Sequence, residues 1–294
     1  MLEQESKIDD RFTTLGPILG QGGEGEVFLV HDDHSGEKVA LKVVRENSDL
    51  GDYIAEITDL ASASHPNIAT IIWTNEDALR VYQDGTSEQV AYIAMTFYTN
   101  HDMHDYLKSD ELNGIDMEPL SEGICKFYLR QTATGLKYLH THDISHGDIN
   151  PNNILLDADY QARLTDFGKS EIGNLSTNST TTRGFYAPEV SHNQVHDPMK
   201  ADIFALAVTI HLMLYGPAFG MDEDDTLLDA VLQPNDKECL RENPEYRKCL
   251  RDGEDFEADN FEKIFARMID PDPYKRPSID DIFNDPWLSS GVAT

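Results

Sequence analysis

HGDINPNN, residues 146–153, sets a histidine, an aspartate and three asparagines directly ahead of the apolar run Ile154, Leu155 and Leu156. Loops that precede buried strands are where folds present reactive groups. The stretch therefore reads as a catalytic loop, a degraded one, or a turn whose side chains only bond their own backbone. A second stretch with chemical character is LGQGGEGEV, residues 19–27, which fits G-x-G-x-x-G at Gly20, Gly22 and Gly25. A dinucleotide-binding turn requires a helix to open right after the glycines. Residues 26–30 instead read as a strand, which leaves a flexible hairpin lying over phosphates or a plain tight turn.

Such groups need a scaffold. A chain of 294 residues is near the size where one core stops growing, so two lobes with a cleft are expected. Residues 12–30 and 38–44 carry β-branched and apolar residues around the polar turn 31–37, a hairpin pattern. Residues 51–64 place Tyr53, Ile54, Ile57, Leu60 and Ala61 at helical spacing, with Glu56 beside the stripe. Strands are expected at 68–73 and 90–96, separated by an enlarged polar loop at 74–89. Helices are expected at 122–141, 200–214 and 261–270, while 215–260 is acidic and resists assignment.

The charge balance narrows the partners. With 54 acidic against 23 basic residues, the formal net charge of -31 repels phosphate backbones and anionic lipid, so neither nucleic acid nor membrane is an expected partner. Cys125, Cys239 and Cys249 are odd in number and lack CxxC spacing, which points to a reducing compartment and away from disulfides or structural zinc. The charged start MLEQESKIDD lacks the apolar core of a signal peptide, so an intracellular protein, cytoplasmic and/or nuclear, is expected.

Taken in order, the glycine stretch is followed by Val39-Ala40-Leu41-Lys42, Glu56, His65-Pro66-Asn67-Ile68, Tyr138-Leu139-His140, HGDINPNN, Asp166-Phe167-Gly168, Ala187-Pro188-Glu189, Asp202 and KRPSIDDIFNDPWL. This series resembles the eukaryotic-type protein kinase family, from about Phe12 to Leu288, in order and spacing. The resemblance implies an α+β, two-lobed kinase fold: a small antiparallel β-sheet lobe with one main helix, and a larger, mainly helical lobe. The corresponding divisions are an acidic arm (1–11), a kinase domain (12–288) made of small lobe (12–95), hinge (96–102) and large lobe (103–288), and a tail (289–294).

It also implies roles. Phosphoryl transfer leaves little covalent work to the protein, so positioning and charge neutralisation supply most of the rate. Lys42, oriented by Glu56, would hold the α- and β-phosphates of ATP. Asp148 would accept the proton of a substrate hydroxyl or orient it. Asn153 and Asp166 would give Mg2+ the oxygen ligands it prefers. Leu19, Gly20, Gly22 and Gly25 would cover the nucleotide, Val27 and Ala40 would line the adenine slot, and Met95 would guard its back. Thr96, Phe97 and Tyr98 would form the hinge contacts, and Asp102 would meet the ribose. Glu189 would pair with Arg276. His146, Phe167 and Leu60 would stack in an apolar column anchored by Asp202. On the same likeness, His140 and His146 are structural histidines, although with His142 they offer the residue types of a metal site.

Three residues depart from the family pattern. Gly147 replaces the arginine that commonly receives an activation-loop phosphate, leaving Lys169 and Arg183 as candidates for that role. Asn150 replaces the lysine that touches the γ-phosphate; its amide can donate a hydrogen bond but carries no charge. Glu24 puts a carboxylate at the tip of the glycine loop. The expected activity is a protein kinase acting on Ser or Thr, with Pro151 and Thr182 resembling that branch. Dual specificity stays open because Asn150 matches neither branch. The alternative is a pseudokinase, a nucleotide-binding scaffold or allosteric partner. A protein substrate of basic character and a regulatory protein partner are the expected interactions.

Overall fold

The structure is a computed structural model that describes residues 6–23, 25–44, 65–108, 118–177, 182, 184–191, 195–216 and 258–289. The expected helix at 51–64, with Glu56 and Leu60, lies outside the described residues, as do Glu24, Arg183 and most of 215–260. Two compact units divide at Thr99/Asn100.

The first unit is an antiparallel sheet of β1 (Ser6–Ile8), β2 (Phe12–Gln21), β3 (Gly25–Asp32), β4 (Lys38–Val44), β5 (Ile71–Tyr82) and β6 (Ser87–Thr96). β2, β3, β4, β6 and β5 pair in that order, and β1 pairs with both β2 and β5. Side chains alternate between the two faces of a strand, so each register assigns a side chain to a face. Phe28, Val30, Val39, Leu41, Tyr92 and Ala94 join Ile8 and Phe12 in one core, with Phe12 edge-on to Tyr92 at 5.5 Å between ring centroids.

Two features of this unit differ from expectation. The segment taken for an arm enters the sheet: Ser6 donates to the Thr14 hydroxyl at 2.8 Å, and Ile8 is fully buried. Residues 74–89 are not an enlarged loop. They complete β5 and β6 around a short turn in which Tyr82 and Thr86 bond, Gly85 has φ +83°, and the Asp84 carboxylate accepts from the Thr86 amide. Most side chains there face solvent, so hydropathy alone carries no strand signal; the backbone ladder does the work.

The second unit contains α1 (Met103–Leu107), α2 (Glu122–Thr141), the short strands β7 (Ile144–Ser145), β8 (Ile154–Leu156), β9 (Ala162–Leu164) and β10 (Glu171–Ile172), then α3 (Pro188–Ser191), α4 (Pro198–Tyr215), α5 (Ala258–Met268), α6 (Ile279–Phe283) and α7 (Pro286–Ser289). In α2, Cys125, Leu129, Thr132, Leu136 and Leu139 recur at three- and four-residue spacing and are buried, which fixes the face it turns inward. α4 starts at Pro198 with the Asp197 carboxylate accepting from Met199 N–H at 2.9 Å, and ends at Gly216. By length and composition α4 is apolar enough to cross a membrane, but it is the buried core helix of this unit, 72% covered over its apolar window. The expected pairing of Glu189 with Arg276 is present as a bidentate, buried ion pair, 2.6 and 2.7 Å.

Candidate active site

Two short ladders position the loop 146–153. β8 pairs with β9, holding the residues that follow the loop. β7 pairs with β10 in the register Ser145↔Glu171 and Ile144↔Ile172, so the chain leaving β7 runs antiparallel to the chain entering β10. His146 thus lies beside Ser170, whose hydroxyl donates to the His146 carbonyl at 3.1 Å, and Gly147 lies beside Lys169. The approach is close: a Cβ on Gly147 would sit 2.1 Å from the Lys169 carbonyl oxygen, and the Gly147 φ of +78° is one that side chains rarely adopt.

Asp202 of α4 holds the loop from beneath. Its two carboxylate oxygens accept from the amides of His146 and Gly147, both at 2.8 Å, and His140 Nε2 lies 2.9 Å from Oδ2. His146 Nε2 is 3.0 Å from the Thr165 carbonyl, and the His146 ring sits 5.3 Å from that of Phe167. His142 is exposed and turns to the Tyr138 carbonyl, so the three histidines have separate partners. The Leu60 member of the expected column lies outside the described residues.

Asp148 is buried, and three donors, Asn153, Thr182 and Lys169, converge on it with four hydrogen bonds. Asn153 Nδ2 donates to its carbonyl at 2.8 Å and to Oδ2 at 3.1 Å; the Thr182 amide donates to Oδ1 at 2.9 Å; Lys169 Nζ bonds Oδ2 at 2.9 Å. Burial by itself would raise this carboxyl's pKa, but Lys169 and Thr182 outweigh it and hold the group below the ordinary carboxylate range. It is therefore ionised at neutral pH, the state a proton acceptor requires. Asn150 is buried too. Its amide donates to the Asp148 carbonyl at 3.1 Å and reaches the Thr182 hydroxyl at 3.4 Å, while its oxygen accepts from Asn152 N–H at 3.0 Å and caps the 3-10 turn Pro151–Asn153.

The Asn153 amide nitrogen is committed to Asp148, which leaves its oxygen as the atom suited to a hard cation. Asp166 follows β9 with φ +61°, a strained conformation for a residue with a side chain, and Gly168 N–H approaches its Oδ1 at 3.4 Å. Asp102 is the N-cap of α1, accepting from Asp105 N–H at 2.7 Å, and burial raises its carboxyl's pKa. The resemblance assigns Asp102 only to a ribose, and the cap role is a finding of the structure.

In the first unit the glycine stretch is a β-hairpin, with Gly20 opposite Val27 and Gly22 N–H bonded to the Gly25 carbonyl at 2.9 Å. Leu19, Gly20 and Gly22 are exposed. Cross-strand partners Val27↔Lys42 and Ala40↔Met95 put these four side chains on the sheet face opposite the aromatic core. Lys42 is 8% exposed, which is unusual for a lysine. Thr96 ends β6 and donates to the Thr70 carbonyl; Phe97 and Tyr98 follow half-buried, and the Tyr98 hydroxyl accepts from Thr70 N–H at 3.2 Å.

Comparison with known proteins bears on the family. Residues 13–288 match the sequence model of the protein kinase domain. Similar proteins include CBL-interacting protein kinase 10 of Oryza sativa subsp. japonica, 25% identical over 304 aligned positions that cover 99% of this chain and 60% of that protein. SNF-related serine/threonine-protein kinase of Homo sapiens is 26% identical, over 93% of this chain and 33% of its own length. CBL-interacting serine/threonine-protein kinase 20 of Arabidopsis thaliana is 27% identical, over 94% and 58%. The chain thus spans no more than 60% of the length of these three relatives.

Proposed function

This chain belongs to the protein kinase family, and we propose that it transfers the γ-phosphoryl group of ATP, with magnesium, to Ser or Thr hydroxyls of protein substrates. The observation that carries this reading is Asp148, a buried carboxylate kept ionised by directed donors at the head of a loop that Asp202 clamps in place. A free turn has no need of such support. Asp148 accepts the hydroxyl proton as the oxygen attacks phosphorus. The oxygens of Asn153 and Asp166 fit magnesium, which when bound supplies charge neutralisation on the phosphates. Lys42 supplies a fixed cation for the nucleotide, and Val27, Ala40 and Met95 supply the apolar lining for its base.

The net charge of -31 supports a basic protein substrate through long-range attraction. Two of the relatives carry a CBL interaction in their names, which supports a regulatory protein partner here. The test is ATP-dependent labelling of a generic basic protein, with Asp148→Asn as control. Labelling by the parent that falls about a hundredfold or more in the variant supports the reading. Bound nucleotide with labelling no higher than the control replaces the enzyme with a nucleotide-binding scaffold.

A further inference from the structure

The loop 146–153 contains no lysine or arginine, yet its aspartate is ion-paired. The partner, Lys169, comes from the segment between Asp166-Phe167-Gly168 and β10, and its Nζ lies 2.9 Å from Asp148 Oδ2. The close approach of the two chains that brings it there depends on Gly147, where any Cβ would collide with the Lys169 backbone. Building on the kinase reading, we propose that Lys169 is a catalytic cation of this enzyme. It bridges Asp148 and the phosphoryl group in transfer, supplying the positive charge that Asn150 does not, and Gly147 is the residue that admits it.

The geometry follows from the reaction. A hydroxyl whose proton passes to Asp148 must lie within about 3 Å of that carboxylate. A cation bonded to the same carboxylate is then within reach of the equatorial oxygens of the phosphorus under attack. As the hydroxyl oxygen bonds to the γ-phosphorus, the bond to the β,γ-bridging oxygen breaks, ADP leaves with that electron pair, and the proton goes to Asp148. Lys169 keeps its own proton throughout and acts by charge, where negative charge spreads over the transferring group. Asn150 keeps a separate task, fixing the loop through Asn152, Thr182 and the Asp148 carbonyl.

The experiment compares parent, Lys169→Met, Lys169→Arg and the double variant Asn150→Lys/Lys169→Met, each checked for fold by circular dichroism and thermal melting. Lys169→Met is expected to lower kcat about a hundredfold while the KM for ATP changes less than about threefold. Lys169→Arg should keep activity within about tenfold of the parent, and the double variant should recover to within about tenfold by returning the charge to the loop. An active parent whose folded Lys169→Met turns over at the parental rate or faster overturns this inference alone, as does a folded, slow Lys169→Met that the double variant does not rescue. If Lys169→Met does not fold, the double variant decides: folded and active supports the charge role, folded and inactive overturns it, and failure of both to fold gives Lys169 a structural role and overturns it. A parent with no transfer above Asp148→Asn overturns the kinase reading, and this inference with it.

Discussion

The hairpin at 19–25 and the loop at 146–153 both carry glycines, but the physical reasons differ. Gly20 and Gly22 have open space where a Cβ would stand, so nothing among the described residues demands glycine there. A requirement for glycine at an exposed turn comes from a ligand approaching its backbone. Gly147 has neither the φ nor the room for a side chain, and Gly25 is similarly tight, its Cβ falling 2.1 Å from the Val43 carbonyl oxygen. A motif match treats Gly20, Gly22 and Gly25 alike, and reads Gly147 only as a departure. The hairpin's Gly20 and Gly22 are exposed, whereas the loop is built into its own unit through Asp202, Lys169, Thr182 and Ser170.

That contrast can be broken at its strongest point by Asp202→Ala. The change strips the acceptor from the His146 and Gly147 amides, and at about 1–3 kcal/mol for each stranded donor it should destabilise the protein by about 2–6 kcal/mol. Chemical denaturation checks this, and a loss under about 1 kcal/mol would mean that the loop stands without its clamp. Gly147→Ala should cost about 2–4 kcal/mol, combining backbone strain at positive φ with the collision against Lys169. An unchanged melting temperature in that variant would remove the steric half of the comparison.

A smaller effect concerns pH. The folded pKa of Asp148 is depressed, so its contribution to stability is present above the ordinary carboxylate range and is lost as pH falls through the folded value. Asp148→Asn should therefore flatten the acid side of the stability profile, and a parallel acid slope in parent and variant would contradict the pairing with Lys169. The smallest change in stability is expected from Gly22→Ala, under about 0.5 kcal/mol, because the added methyl meets open space. If nucleotide titration shows weaker binding in this variant at unchanged stability, the glycine serves a ligand; equal binding would make it a plain turn.

Part of this was legible without coordinates. The strand that follows the glycine stretch excluded a dinucleotide-binding turn, and β2 and β3 do form a hairpin. The spacing in α2 marked its buried face, and the Glu189–Arg276 pair was expected from the resemblance and is formed. The polar strands of 74–89 were not legible, since their evidence is a hydrogen-bond ladder and not an apolar pattern. Nor was the first strand, which depends on edges of β2 and β5 far along the chain. Asn150 and Gly147 read as losses because sequence counts residues in their motif positions. Lys169 read only as a stand-in for a phosphate-binding cation.

The sequence by itself determined the ordered motifs, the family and the identity of the chemical groups, because residue type and spacing along one chain carry that information. Tertiary structure decided which groups meet. Asp148 and Lys169 are separated by the whole β8–β9 hairpin, and only the β7–β10 register brings them to 2.9 Å. A contact of that kind depends on two backbones approaching at a glycine, a distance that no local pattern encodes.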